Sequence, residues 1–170
     1  MVGNGGSLKM TNRLLALDQS SRTNGYAIFE DGSLHDCGKF ELTGDVGERL
    51  VDFRQEVLDL IIEYEVDSVA FEDIQLQGNV ANNVTTFKTL AMIFGVLTEL
   101  CEEKNIPYEV VHSQTWKSAL RIKGRTRPEQ KKAAQAYVLA TYQVKASQDT
   151  CDAICIGATA SKNSNGFDWS

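Results

Sequence analysis

Arg13-Leu14-Leu15-Ala16-Leu17-Asp18, Gly25-Tyr26-Ala27-Ile28-Phe29 and the stretch from Leu34 to Leu42 follow one another with only turn residues between them. The first is a short apolar run closed by a carboxylate, which reads as a buried strand. Gln19 to Asn24 is polar turn material. The second run mixes aromatic and β-branched residues, and Asp31-Gly32 after it is a two-residue hairpin signal that leads into the third. The chain is therefore expected to open with three antiparallel strands.

From Val46 the period changes. Val46, Leu50, Phe53, Val57, Leu60, Ile61 and Tyr64 fall mostly three or four apart, with charges between them, as in an amphipathic helix. Ser68 to Phe71 reads as a short buried strand ending in Glu72 and Asp73. A second helix is expected from about Asn83 to Lys104, stopped by Asn105 and Pro107. Tyr108 to His112 is a fifth strand, and Ser113 can cap a short helix through Leu120. Thr126, Pro128 and Glu129 offer a cap, a first-turn proline and a capping-box acid for the next helix. A last helix is expected from near Ser147 to about Ser161. With the short helix set aside, the order is β-β-β-α-β-α-β-α-α. That is an α/β fold with a five-stranded mixed sheet, three antiparallel strands first and then two parallel, flanked by helices. The expected organisation is a single domain over 13–162, a Gly-, Asn- and Ser-rich flexible leader over 1–12, and a polar tail over 163–170.

At 170 residues and a net charge of −6, the balance as a whole argues against nucleic acid. One window reverses it. Lys117, Arg121, Lys123, Arg125, Arg127, Lys131 and Lys132 face a single acid, Glu129, so an acidic body carries one basic stretch. The longest unbroken apolar run, Leu90 to Leu97, is far short of the roughly 20 residues of a membrane span. The first residues lack the apolar segment of a signal peptide. Cys37, Cys101, Cys151 and Cys155 form no CxxC pair and read as reduced core thiols. The expected location is cytoplasmic, with no membrane partner.

Two apolar runs end in acids, Leu14-Leu15-Ala16-Leu17-Asp18 and Val69-Ala70-Phe71-Glu72. A buried strand does not tolerate a charge unless something pairs with it. Asp149 and Asp152 lie three apart on the last helix and so share a face. Taken singly, each has a bland reading: a strand end meeting water, or an acid in a helix's first turns. Together, four carboxylates from three elements could converge at one end of the sheet. They would repel one another unless cations sat among them, and hard oxygen donors suit Mg²⁺ or Mn²⁺. Two such ions serve in-line displacement at a phosphodiester, with the basic stretch to hold the phosphate backbone.

These residues resemble those of a known family. Leu15-Ala-Leu-Asp18 with Thr23-Asn-Gly25-Tyr26-Ala-Ile resembles the opening motif of RuvC-type Holliday-junction resolvases. Phe71-Glu72-Asp73 resembles their second motif, and Gln148-Asp149-Thr-Cys-Asp152-Ala-Ile the paired aspartates of their third. The similarity runs from about Arg13 to Ser161 and is greatest to the compact members carried by phages of Gram-positive bacteria, which would place the protein in a bacterial host cell.

The resemblance implies a ribonuclease-H-like fold and a homodimer acting on four-way and other branched DNA. Such enzymes use Mg²⁺ or Mn²⁺, with no small-molecule cofactor, and leave 5′-phosphate and 3′-hydroxyl ends. Asp18, Glu72, Asp149 and Asp152 take the metal-binding positions. Lys117 and Lys131 fall near two basic positions of the family, and the second assignment could shift to Lys132. Arg121, Lys123, Arg125, Arg127, Lys131 and Lys132 join Lys117 as candidate DNA contacts. The chain departs from the family pattern twice: Gln19-Ser20 stands where Pro-Gly is common, and Gln75 where an aromatic often wedges into the junction. An amide cannot stack on an opened base pair, so Gln75 is a DNA-facing position that allows action on forks and flaps as well. The alternative is a branched-DNA binding protein of the same fold that does not cleave. A sugar-kinase or actin-like reading of Asp18-Gln-Ser-Ser would need about twice this length.

Overall fold

The computed structural model describes residues 11–75 and 80–164, side chains of 80–82 and 164 apart. The expected leader and tail therefore lie outside the described residues except for Thr11, Asn12, Asn163 and Ser164.

Strands β1 (Arg13–Asp18), β2 (Thr23–Glu30) and β3 (Ser33–Glu41) form the opening antiparallel meander. Its tight turn has Asp31 at φ 49° and Gly32 at φ 82°, the double left-handed geometry of a two-residue hairpin. Helix α1 (Val46–Glu63) begins at a capping box in which Asp45 and Glu48 each accept from the other's backbone N–H. Strand β4 (Ser68–Glu72), helix α2 (Val80–Glu103) and strand β5 (Tyr108–Val111) complete the sheet, followed by α3 (Ser113–Ala119), α4 (Arg127–Tyr142) and α5 (Gln148–Ser164). Two helices exceed expectation. Helix α2 starts three residues before Asn83, and α5 runs to Ser164, where Asn163 Nδ2 donates to Glu109 Oε1 at 3.0 Å.

The sheet order is β3-β2-β1-β4-β5, with β4 parallel to both β1 and β5. Strand β1 is central and buried on both faces, as its unbroken apolar run requires. Leu15, Leu17, Val69 and Phe71 pack under α1 and α2; Ala16, Ala27 and Ala70 face α5 on the other side. The small residues on that second face let α5 lie close. A Cβ on Gly157 would come within 2.3 Å of the Phe29 ring, and one on Gly25 within 2.0 Å of the Asp149 carbonyl oxygen.

By length and composition, Asn83–Glu103 would suffice to cross a bilayer, which a count of unbroken apolar residues passed over. Its Ile93, Leu97, Leu100 and Cys101 are instead buried in the core under the sheet. Cys101, Cys151 and Cys155 are buried, Cys37 partly so, and all four are free thiols.

Candidate active site

Asp18 and Glu72 close two neighbouring parallel strands, so their side chains leave the sheet at the same end. Helix α5 brings Asp149 and Asp152 to that end. Ser147 Oγ accepts from Thr150 N–H at 3.3 Å at the start of α5, and Thr150 Oγ1 donates to the Gly38 carbonyl at 3.0 Å, which fixes the helix start on the meander. Gly25 pairs with Asp18 across β1 and β2, and its missing side chain is where the Asp149 backbone rests. The sequence thus places the four expected acids from three elements in one cleft of about 650 Å³, which Asp73 lines as a fifth.

The electrostatics follow from this crowding. Burial, and then the charges of Asp152, Glu72 and Asp149, push the Asp18 carboxyl well above the usual carboxylate range, against the pull of Lys131. Burial likewise lifts Asp152 to about 6, opposed by Lys131 and Lys117 and aided by Glu72 and Asp149. Lys131 Nζ stands 3.8 Å from Asp152 Oδ2.

The basic residues divide. Lys117, Arg127 and Lys131 line the cleft with the acids, as does Gln75. Lys123 and Arg125 line a separate, shallow depression beside it. Arg121 and Lys132 are exposed and line neither. Of the two lysines open to the second basic position, Lys131 is the one in the cleft.

Two residues of the site escaped the sequence reading. Gln19, taken as turn material, is buried and hydrogen-bonded to the backbone of Glu72 through both ends of its amide. Trp116 is buried, and its Nε1–H donates to Glu72 Oε1 at 2.9 Å. The only available signal was position: Gln19 follows one acid directly, and Trp116 precedes a cleft lysine. Asn83, Thr86, Phe87 and Leu90 of α2 also line the cleft.

As a donor set, four carboxylates with no thiol or imidazole fit a hard divalent cation, and Asp18 and Asp152, raised first by burial and further by the neighbouring acids, mark a site whose negative charge a cation would offset. Among the described residues, no three acids, histidines or cysteines are drawn in tightly enough to make a closed metal cage.

Residues 14–160 match the family model described as crossover junction endodeoxyribonuclease RuvC. The chain belongs to the RuvC family. It is accordingly a phosphodiester hydrolase of the crossover junction endodeoxyribonuclease type, and enzymes of the RuvC family depend on divalent metal ions. Solved structures share its fold at low identity. Thermus thermophilus RuvC in complex with a Holliday junction substrate is 14% identical, with a TM-score of 0.72, over 91% of this chain and 96% of that one. The yeast mitochondrial Holliday junction resolvase Ydc2 is 15% identical, with a TM-score of 0.58, over 92% and 80%. The fowlpox virus resolvase, solved with Holliday junction DNA, is 15% identical, with a TM-score of 0.54, over 89% and 97%. No curated protein matches the chain in sequence. The ribonuclease-H-like class, with three antiparallel strands followed by two parallel ones, is borne out by the sheet and by these likenesses.

Proposed function

We propose that this RuvC-family nuclease resolves four-way DNA junctions, and also cuts forks and flaps, as a homodimer in the cytoplasm of its host cell, leaving 5′-phosphate and 3′-hydroxyl ends. Asp18, Glu72, Asp149 and Asp152 hold two Mg²⁺ or Mn²⁺ ions. When bound, such ions supply the activation of the attacking water and the stabilisation of the leaving oxygen. The observation that carries this reading is the gathering of four acids from β1, β4 and α5 with Lys117, Arg127 and Lys131 in one cleft.

The chain's own residues do the rest. Lys131 sits against Asp152, tempers the negative field of the acids and meets the scissile phosphate. Lys117 and Arg127 guide the phosphate backbone along the cleft, and Arg121, Lys123, Arg125 and Lys132 hold flanking duplex from the exposed surface beside it. Gln75 faces the branch point without stacking into it, which supports relaxed selectivity. Helix α2 leaves Val84 and Met92 exposed, an apolar surface suited to a second copy.

The test is incubation of the protein with labelled four-way junction, Y-fork and linear duplex in Mg²⁺, Mn²⁺ or EDTA. Metal-dependent paired nicks near the crossover, with weaker cutting of the fork and none of the duplex, are expected. Junction binding without incision in either metal would overturn the reading.

A further inference from the structure

We propose that Gln19 and Trp116 are positioning residues for Glu72, the first holding its backbone and the second its carboxylate in the orientation that receives a divalent cation. The inference rests on Glu72 being one of the metal-holding acids and adds the parts that aim it.

The parallel ladder between β1 and β4 runs as far as Leu17 opposite Phe71. One step further, Asp18 and Glu72 stand at the ends of adjacent strands, where mutual repulsion would splay them. The Gln19 side chain closes that gap. Its Nε2–H donates to the Glu72 carbonyl at 2.5 Å, and its Oε1 accepts from the Glu72 N–H at 3.3 Å. A primary amide offers a donor and an acceptor as a peptide group does, so this side chain stands in for one more residue of β1. Gln19 is 8% exposed, so water competes little for these bonds. On the other side, Glu72 pairs with Val111 of β5, and Asp73 N–H donates to the Val111 carbonyl at 3.0 Å. The backbone of Glu72 is tied from both flanks.

Trp116 then fixes the side chain. Its ring is 2% exposed and packs in the core with Leu120 and Ile122. The indole N–H is a donor only and points one way, so the 2.9 Å bond draws Oε1 toward α3. Among the described residues Oε2 has no hydrogen-bond partner, and Glu72 alone of the four acids accepts from a neutral side chain. A ligating oxygen aimed by a rigid neighbour loses less freedom on binding, which is why partners of metal ligands tune affinity. Burial by itself would also demand partners for an indole and an amide. A purely structural role would therefore leave metal affinity unmoved, and that difference is measurable.

Trp116 and Trp169 are the two tryptophans of the chain, so in a Trp169→Phe background Trp116 emission reports on its bond to Glu72. Mg²⁺ titrated into that protein is expected to shift the emission saturably, and Glu72→Gln to remove the shift. Gln19→Leu in the same background is expected to raise the half-saturating Mg²⁺ concentration by roughly tenfold. Trp116→Phe is expected to do the same, read by the Mg²⁺-induced rise in Tm and by incision. Junction affinity in EDTA should stay near that of the parent in both. Either variant decides the matter if the other fails to fold, and the emission shift needs neither. Variants that lower Tm in EDTA yet keep the parent half-saturating Mg²⁺, or a Trp116 emission blind to Mg²⁺, would overturn the proposal. A Glu72→Gln protein that cuts with the parent Mg²⁺ curve would overturn the assignment of Glu72 itself.

Discussion

A Cβ on Gly25 would lie 2.0 Å from the carbonyl oxygen of Asp149 and 2.2 Å from its carbonyl carbon. Helix α5 therefore begins directly on β2, beside the strand end that carries Asp18, and this close approach brings Asp149 to the acidic cleft. Gly25→Ala must push the start of α5 outward, since both partners of the clash are backbone. Overpacking typically costs about 1–3 kcal/mol, and a shift of about 1 Å at a catalytic group can cost about 10²-fold in rate. The expected outcome is a Tm several degrees lower and incision reduced by about two orders of magnitude, with junction binding retained. Melting curves and junction cleavage on the same preparation check it.

Asp18→Asn and Asp149→Asn each remove one charged donor while keeping the shape of the side chain. Both are expected to bind four-way junction as the parent does, because the basic residues are untouched. Incision should fall by about 10²-fold or more, the equivalent of roughly 3 kcal/mol of lost transition-state stabilisation. Gel-shift and cleavage assays with the same labelled junction separate the two effects. A variant cutting at the parent rate would remove that acid from the site.

What could be read in the chain beforehand follows from range. Leu14 to Leu17 has no polar residue, so β1 had to be central, and an acid closing it had to meet another charge or a cation. The amphipathic spacing of Val46 to Tyr64 fixed α1 for similar local reasons. Asp149 and Asp152 share a face by helical geometry alone. Gln19 was not legible as part of the site because its burial depends on β4, 53 residues away, landing alongside. Trp116 advertises a donor, but its acceptor lies 44 residues earlier. The basic stretch reads as one patch in sequence. In three dimensions the chain reverses after α3, with Arg121 at φ 57°, and only Lys117, Arg127 and Lys131 turn into the cleft.

Asp152 ties stability to pH in the metal-free protein. Its carboxyl is raised from an ordinary 3.8 to about 6, burial being the largest cause. Folding therefore favours its protonated form. That contribution is fully present below about pH 4 and is lost as pH rises through about 6, on the order of 3 kcal/mol by pH 7. In EDTA, Asp152→Asn is expected to melt several degrees above the parent at pH 7, and the gap should shrink toward pH 4. Adding Mg²⁺ at pH 7 should raise the Tm of the parent more than that of Asp152→Asn. Melting curves across pH 4 to 7.5, with and without Mg²⁺, test the sign; a gap that widens on acidification would contradict it.

Lys131 and Lys132 are neighbours in sequence, and one substitution at each separates catalysis from grip. Lys131 lowers the pKa of both Asp18 and Asp152 and lines the cleft, whereas Lys132 is exposed and outside it. Lys131→Ala removes the positive charge nearest the acids, so the incision rate at saturating junction should drop by about 10²-fold, the usual cost of one preorganised charge or donor at a developing negative charge. Lys132→Ala should leave that rate unchanged and reduce the slope of log affinity against log salt by about one. Arg125→Ala, also exposed and away from the acids, should behave like Lys132→Ala. Single-turnover cleavage and binding across a salt series measure the two quantities independently. If Lys132→Ala carried the rate loss and Lys131→Ala the salt effect, the second basic position of the site would belong to Lys132.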